Sequence, residues 1–350
     1  MISVMDILDE HPVKYEYIRN SVQVNEEIES KNKVEYGDLV FVRSSEVPEE
    51  VGWAKAYLEE EYALYSGFSI RGKKTNEFNS HFVELTLNSI NRKQIERKAG
   101  GSTRFNVSQT ILNSLELLVP KIEEQNKISY LFKKLDDTIA LHQRKLDQLK
   151  ELKKAYLQVM FPAKDERVPK LRFADFEGEW EQCKLEDLAN KYNNLRIPIT
   201  ASKRIYGNTP YYGANGIQDF VEGYTHDGEF ILVAEDGASN LKDYPVQYVN
   251  GKVWVNNHAH VLQAKRSKAD NKFLMNAIKS INIEPFLVGG GRSKLNSEVM
   301  MNLEINTPSK DEQLKISTLC KQLDDITALY QNKLNQLKNL KKSYLQNMFI

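Results

Sequence analysis

The segment KLDDTIALHQRKLDQLKELKKAYLQVMFP, Lys134–Pro162, returns 188 residues later as QLDDITALYQNKLNQLKNLKKSYLQNMFI, Gln322–Ile350. Carried back to Glu124–Gln125 and Glu312–Gln313, about two-thirds of the aligned positions are identical, which marks an internal repeat. In the first copy Ile128, Leu131, Leu135, Ile139, Leu146, Leu149, Leu152, Tyr156 and Met160 fall at spacings of three, four and seven, with Lys, Gln and Asp between them. That period predicts a long amphipathic helix. The second copy repeats it with Ile316, Leu319, Leu323, Leu334, Leu337, Leu340, Tyr344 and Met348. Each helix opens just after a proline, Pro120 or Pro308, with acidic residues in the first turn, where the helix dipole favours them. At about 1.5 Å per residue each is a rod of about 60 Å. A stripe this long needs a partner, and its twin supplies one. Leu135, Ile139, Leu146, Leu149, Tyr156, Leu323, Leu334, Leu337 and Tyr344 are therefore expected to pair the helices as an antiparallel coiled coil.

The duplication reaches beyond the helices. GDLVFVRSS (Gly37–Ser45), GGSTRFN (Gly100–Asn106) and LELLVP precede the first, and GEFILVAED (Gly228–Asp236), GGGRSKLN (Gly289–Asn296) and LEINTP precede the second, in the same order. Short apolar runs such as LVFV, FILVA and KVWVNN alternate with Gly/Asn/Asp turns. The expected fold class is α+β: two mixed α/β domains separated and joined by two long paired helices. With Gly37 set against Gly228, Met1 falls near Tyr192, so Leu171–Lys191 has no counterpart at the front and the first domain is expected to lack its opening strand or helix.

Composition excludes several classes. The 350 residues suffice for two or three domains, no stretch approaches the apolar length of a membrane span, and no signal-peptide pattern opens the chain, so a cytoplasmic protein is expected. Cys183 and Cys320 stand alone, which rules out a disulfide framework or a CxxC knuckle. Lys plus Arg and Asp plus Glu balance at 48 each, so any nucleic-acid role rests on local placement and not on bulk charge. Two similar domains tied by antiparallel helices suit a reader of two half-sites in opposite orientation, with the rod setting the gap.

The helical repeats, together with the YYGANGIQD and NHAHVL stretches, resemble the specificity (S) subunits of type I restriction-modification systems over nearly the whole chain. The resemblance implies a sequence-specific reader of double-stranded DNA, with target-recognition domains at 1–119 (N-terminally incomplete) and 166–307 and conserved helical regions at 120–165 and 308–350. It implies docking of modification (methyltransferase) and restriction (translocase and nuclease) subunits, and no catalysis or cofactor in this chain. S-adenosylmethionine, ATP and Mg are expected on the partner subunits. A coiled-coil scaffold joining two protein-binding domains, without a DNA role, is the rival reading.

Candidate contacts follow from residue chemistry. Gly289–Gly291 with Arg292 and Lys294 suits a loop bearing cations toward phosphate or guanine, or else a plain surface turn, and Arg104 stands at the equivalent place in the first repeat. Tyr211, Tyr212 and Asn215 either face a groove, Asn being suited to adenine, or form a buried Tyr pair under a type I′ Asn-Gly turn. Ser239 and Asn240 lie in a polar loop after ILVA that Asp236 is expected to hold. In the first repeat Arg43 and Ser44 follow LVFV where Glu235 and Asp236 follow ILVA, and Arg71 and Lys73 form a basic turn. His258 and His260 suit a hydrogen-bond network better than a metal site, since no third ligand is positioned near them.

Overall fold

An uninterrupted apolar run has to bury both of its faces, and LVFV and FILVA each do so at the centre of a sheet. The computed structural model describes residues 1–163, 165–289 and 293–349. It divides into two units, Met1–Gln143 with Asn332–Ile350 and Arg144–Gln331.

In the first unit β1 (Leu39–Val42), β2 (Ser44–Ser45), β3 (Ala54–Ala56) and β4 (Ser69–Gly72) precede helix α1 (Ser80–Asn88), and β5 (Phe105–Asn106) follows it. β1 lies between β3 and β4, antiparallel to both, and β2 pairs with β5. Side chains alternate along a strand. Leu39 and Phe41 accordingly join Phe82 and Val83 of α1 in one core, while Val40 and Val42 join Ile2, Ile7 and Tyr57 in another. Helix α2 (Ile122–Met160) contributes its residues up to Gln143 to this unit.

The second unit repeats the plan at larger size. Its elements include β6 (Glu181–Lys184), β7 (Ala189–Lys191), β8 (Tyr206–Gly213), β9 (Gly216–Val221), β10 (His226–Ala234), β11 (Val246–Val255), β12 (Ala259–Ala264), helix α3 (Asn271–Ser280) and β13 (Glu304–Thr307). A six-stranded sheet runs β9-β8-β11-β10-β12-β7, with only β8 and β11 parallel, and β13 pairs separately with β6. Along β10, Ile231 and Val233 face Phe273 and Ile278 of α3, whereas Phe230 and Leu232 face Val253 and Val261.

One polar device is built twice. The side chain of Asn79 caps α1 and that of Asp270 caps α3, each accepting a backbone N–H. The backbone N–H of each cap residue donates in turn to a buried glutamine, Gln125 or Gln313, at 3.0 Å. The amide nitrogen of that glutamine returns to the proline before the long helix, Pro120 at 2.8 Å or Pro308 at 3.0 Å. These are the repeat's own Glu-Gln positions.

The two long helices, α2 and α4 (Lys310–Asn347), run antiparallel within each unit. In the first, Phe132 lies 6.0 Å from Phe349 and Asp136 pairs with Lys341 at 2.5 Å. In the second, Lys153 pairs with Asp324 at 2.5 Å, and Met160 shares a core with Ile316 and Cys320. The two ion pairs are the same repeat positions with the helices exchanged. Of the expected pairing residues, Leu146, Leu149, Leu323 and Leu334 are buried, and Leu135, Ile139, Tyr156, Leu337 and Tyr344 are half-buried. Leu152, Leu340 and Met348, expected on the same stripe, are instead exposed: a two-helix seam covers a narrower arc than the full apolar stripe. Among the described residues no helix is long and apolar enough to cross a membrane.

Candidate nucleic-acid interface

The loop that leaves each central strand meets the loop that leads toward the next long helix. In the first unit the N–H of Val107 donates to Arg43 O at 3.0 Å, and Ser44 stands opposite Asn106. In the second the N–H of Leu295 donates to Glu235 O at 2.7 Å, and Asp236 bridges Lys294. The backbone frame is shared and the side chains it carries differ: Arg43 and Ser44 in one, Glu235 and Asp236 in the other. Counting back from Val107 and Leu295 sets Arg104 against Arg292 and Gly101 against Gly289 in sequence. Both glycines have positive φ, 126° and 97°. At Gly101 a Cβ would meet the Arg104 carbonyl oxygen at 2.0 Å, so the turn that presents Arg104 requires glycine. Arg292 lies outside the described residues.

Glu235 is the electrostatic centre of the second unit's loop. Its carboxylate accepts from Arg196 Nη1 at 2.6 Å and Lys294 Nζ at 2.9 Å, and stands 3.4 Å from His260 Nδ1. Burial pushes this carboxyl up, but the bonds from Arg196 and Lys294 and the field of His260 outweigh it, so Glu235 sits below its ordinary pKa. The bond to Glu235 in turn raises Lys294. His260 is buried, with Nε2 on Leu295 O at 2.8 Å and Nδ1 on Asn193 at 2.9 Å, and burial lowers its pKa despite those partners. His258 lies in the turn before β12, its Nδ1 2.6 Å from Asp236. Both imidazoles thus serve hydrogen-bond networks. Among the described residues no group of three His, Cys, Asp or Glu could hold a metal ion.

Asn215 works on the same loop from the β8–β9 hairpin. Its amide nitrogen donates to Gly237 O at 2.9 Å and its amide oxygen accepts from Ser239 N at 2.8 Å, so it braces the segment that exposes Ser239 and Asn240. Asn240 closes its own turn through the N–H groups of Lys242 and Asp243. The hairpin is not a type I′ turn. Gly213 stands opposite Gly216, which puts Ala214 and Asn215 at the tip, and of these residues only Gly216 has positive φ, 117°. Tyr211 is 1% exposed, with its hydroxyl on the backbone of Ile199 and the Arg204 guanidinium 4.2 Å above its ring. It supports the surface from beneath and presents nothing to a groove. Tyr212 is half-buried against the second face of the sheet.

The first unit's candidates separate into two places. Arg43 and Arg104 are exposed, and the β2–β5 ladder brings their loops together with Ser44. Arg71 and Lys73 lie toward the other end of the β1–β4 ladder, where Leu39 stands opposite Gly72. There Arg71 is bound to Asp38 at 2.5 Å and to Glu35 at 2.9 Å, an internal clamp, while Lys73 is exposed.

Sequence reasoning missed two features. Arg196 gives no local signal, because its partner Glu235 is 39 residues away. Ile205 and Tyr206, 68% and 83% exposed at the start of β8, present an apolar step beside Lys203 that only tertiary structure separates from core residues.

The chain matches the family model described as type I restriction modification DNA specificity domain over residues 6–151 and 177–339. It is 46% identical over 153 residues to a chain of Haemophilus influenzae described as a type I restriction enzyme specificity subunit, a match covering 44% of this chain and 38% of that one. A specificity subunit of Methanocaldococcus jannaschii is 20% identical over 352 residues, 92% of this chain and 80% of its own. Among solved structures, the S subunit of the M. genitalium type I restriction-modification system superimposes with a TM-score of 0.63 at 16% identity, covering 92% of this chain and 85% of that one. That likeness shows the fold.

Proposed function

The chain belongs to the type I restriction modification DNA specificity family, and from that premise we propose that it reads a bipartite DNA sequence, one half with each unit. One observation carries this reading: the same backbone frame, a strand exit bridged to the loop before a long helix, bears different polar side chains in the two units. Equal frames with unequal donors and acceptors suit two unlike half-sites, since base edges are told apart by hydrogen-bond pattern. The proposed contacts are Arg43, Ser44 and Arg104 in the first unit and Ser239, Asn240, Lys294 and Arg292 in the second, with Asn215, Glu235 and Tyr211 holding the second surface in place. Lys73, Tyr206 and Lys203 are suited to phosphate or sugar contacts.

The repeated helices are the proposed docking surface for modification and restriction subunits, which would supply S-adenosylmethionine, ATP and Mg. Exposed Leu152 and Leu340, the same position of each copy, support a surface used twice. The chain itself is proposed to carry no catalytic group. The neutral balance of charge fits a protein whose partners share the phosphate contacts.

The test is adenine methylation mapping in cells expressing the chain with its cognate modification subunit. Two different short motifs at a fixed interval are expected. A single symmetric motif would overturn the two-reader assignment, and a stable complex without methylation would favour a scaffold.

A further inference from the structure

The two units differ where the residues leading into the long helices lie. In the second unit β13 pairs with β6, Leu185 N donates to Leu303 O, and Arg172 holds the carboxylate of Glu312 through two bonds of 2.8 Å. Under that cover Thr307 is 7% and Glu312 1% exposed. The repeat positions in the first unit are Val119 and Glu124. Val119 is 53% exposed, Glu124 lies open to solvent, and Leu118, the counterpart of Asn306, is 80% exposed. The Gln94 side chain takes the N–H and C=O of Glu116, at 2.9 and 3.1 Å. Leu117–Val119 lies in no strand and pairs with none among the described residues. The frame around it is nevertheless complete, because Gln125 makes the same bonds to Asn79 and Pro120 that Gln313 makes to Asp270 and Pro308.

We infer that the unpaired segment Leu117–Val119, together with Glu124, is a docking site for an extended segment of another polypeptide that pairs with it as a short strand and brings an arginine to the carboxylate. The occupant's chemistry is read from the second unit, where the segment covering the equivalent surface presents its arginine nine residues before the strand. It needs no aromatic anchor. The second unit's segment inserts Trp180 beside Phe161 and Phe273, but in the first unit Phe132, standing where the repeat has Cys320, already packs on Phe349. An exposed apolar segment whose backbone pairs with no strand, with an exposed carboxylate nearby in sequence, is suited to pairing with an added strand, in which main-chain bonds give affinity and side chains choose the partner. A second copy of this chain is the weaker occupant, because its own Arg172 segment is engaged on Glu312.

The experiment is amide hydrogen exchange on the full chain with and without a synthetic peptide of residues 169–188 carrying W180A. That substitution removes the anchor through which the peptide could compete in the second unit. At about 1 mM peptide one amide of the adjacent pair Leu118 and Val119, the one whose N–H faces the added strand, is expected to slow by about tenfold or more. The slowing should be lost with an R172A version of the peptide and with Glu124→Gln in the protein. Unchanged exchange, or slowing insensitive to both substitutions, overturns the inference. So does protection in the protein alone that grows with its concentration, which would give the site to a second copy.

Discussion

Replacing Glu235 with alanine tests whether one carboxylate organises the second unit's polar surface. It removes the partner of Arg196, whose side chain is 15% exposed, and of Lys294 at the rim. Breaking a buried ion pair from one side costs about 3–5 kcal/mol, because the surviving charge is left without its counter-ion. Arg196 still donates to the carbonyls of Asn193 and Ala259, and Lys294 is free to turn to water, so the lower end applies, about 3 kcal/mol. For a unit of this size that is a fall in Tm of about 6–12 °C. Urea unfolding followed through Trp180 and Trp254, both in this unit, reads the change. Adding Arg196→Met removes the stranded charge and should return at least half of the loss. The reasoning fails if Glu235→Ala costs less than about 1 kcal/mol, or if the double variant is no more stable than the single.

The glutamine device should matter equally in both units: Gln125→Ala and Gln313→Ala each remove a buried amide that bonds a helix cap and a proline carbonyl, and each is expected to cost about 2 kcal/mol in urea unfolding. His81, His226 and His260 are held below the ordinary imidazole pKa by burial, so their neutral forms favour the folded state. Their contribution is complete above about pH 6.5 and is lost as pH falls through the folded-state values; the urea midpoint should drop between pH 7.5 and 5.5, and less so in His260→Asn. Glu235, depressed in the same sense, adds a loss at lower pH, as pH falls below the ordinary glutamate value. On duplex carrying the methylated motif, Arg104→Ala should reduce the slope of log affinity against log salt by about one. Arg71→Ala should leave that slope unchanged and cost about 3 kcal/mol of stability, because Arg71 is spent on Asp38.

What the sequence determined by itself is whatever local spacing encodes. The repeat, the two helices, the apolar strands LVFV and FILVA and the glycine turn before Arg104 all follow from local spacing and from residues that tolerate positive φ, each decided within a few neighbours. The freedom of a polar side chain is not local. Arg71 and Arg104 read alike in sequence, yet one is clamped by Asp38, 33 residues away, and the other is exposed. Tyr211 and Asn215 read either as groove-facing or as a buried tyrosine under a turn, and only the fold engages their polar atoms with Ile199, Gly237 and Ser239. Leu118 and Asn306 share a repeat position, and only the strand pairing of the second unit makes Asn306 a strand residue while Leu118 stays unpaired and exposed. Tertiary structure decided these because packing chooses which distant donor meets which acceptor, and a side chain already paired indoors has nothing left to offer a ligand.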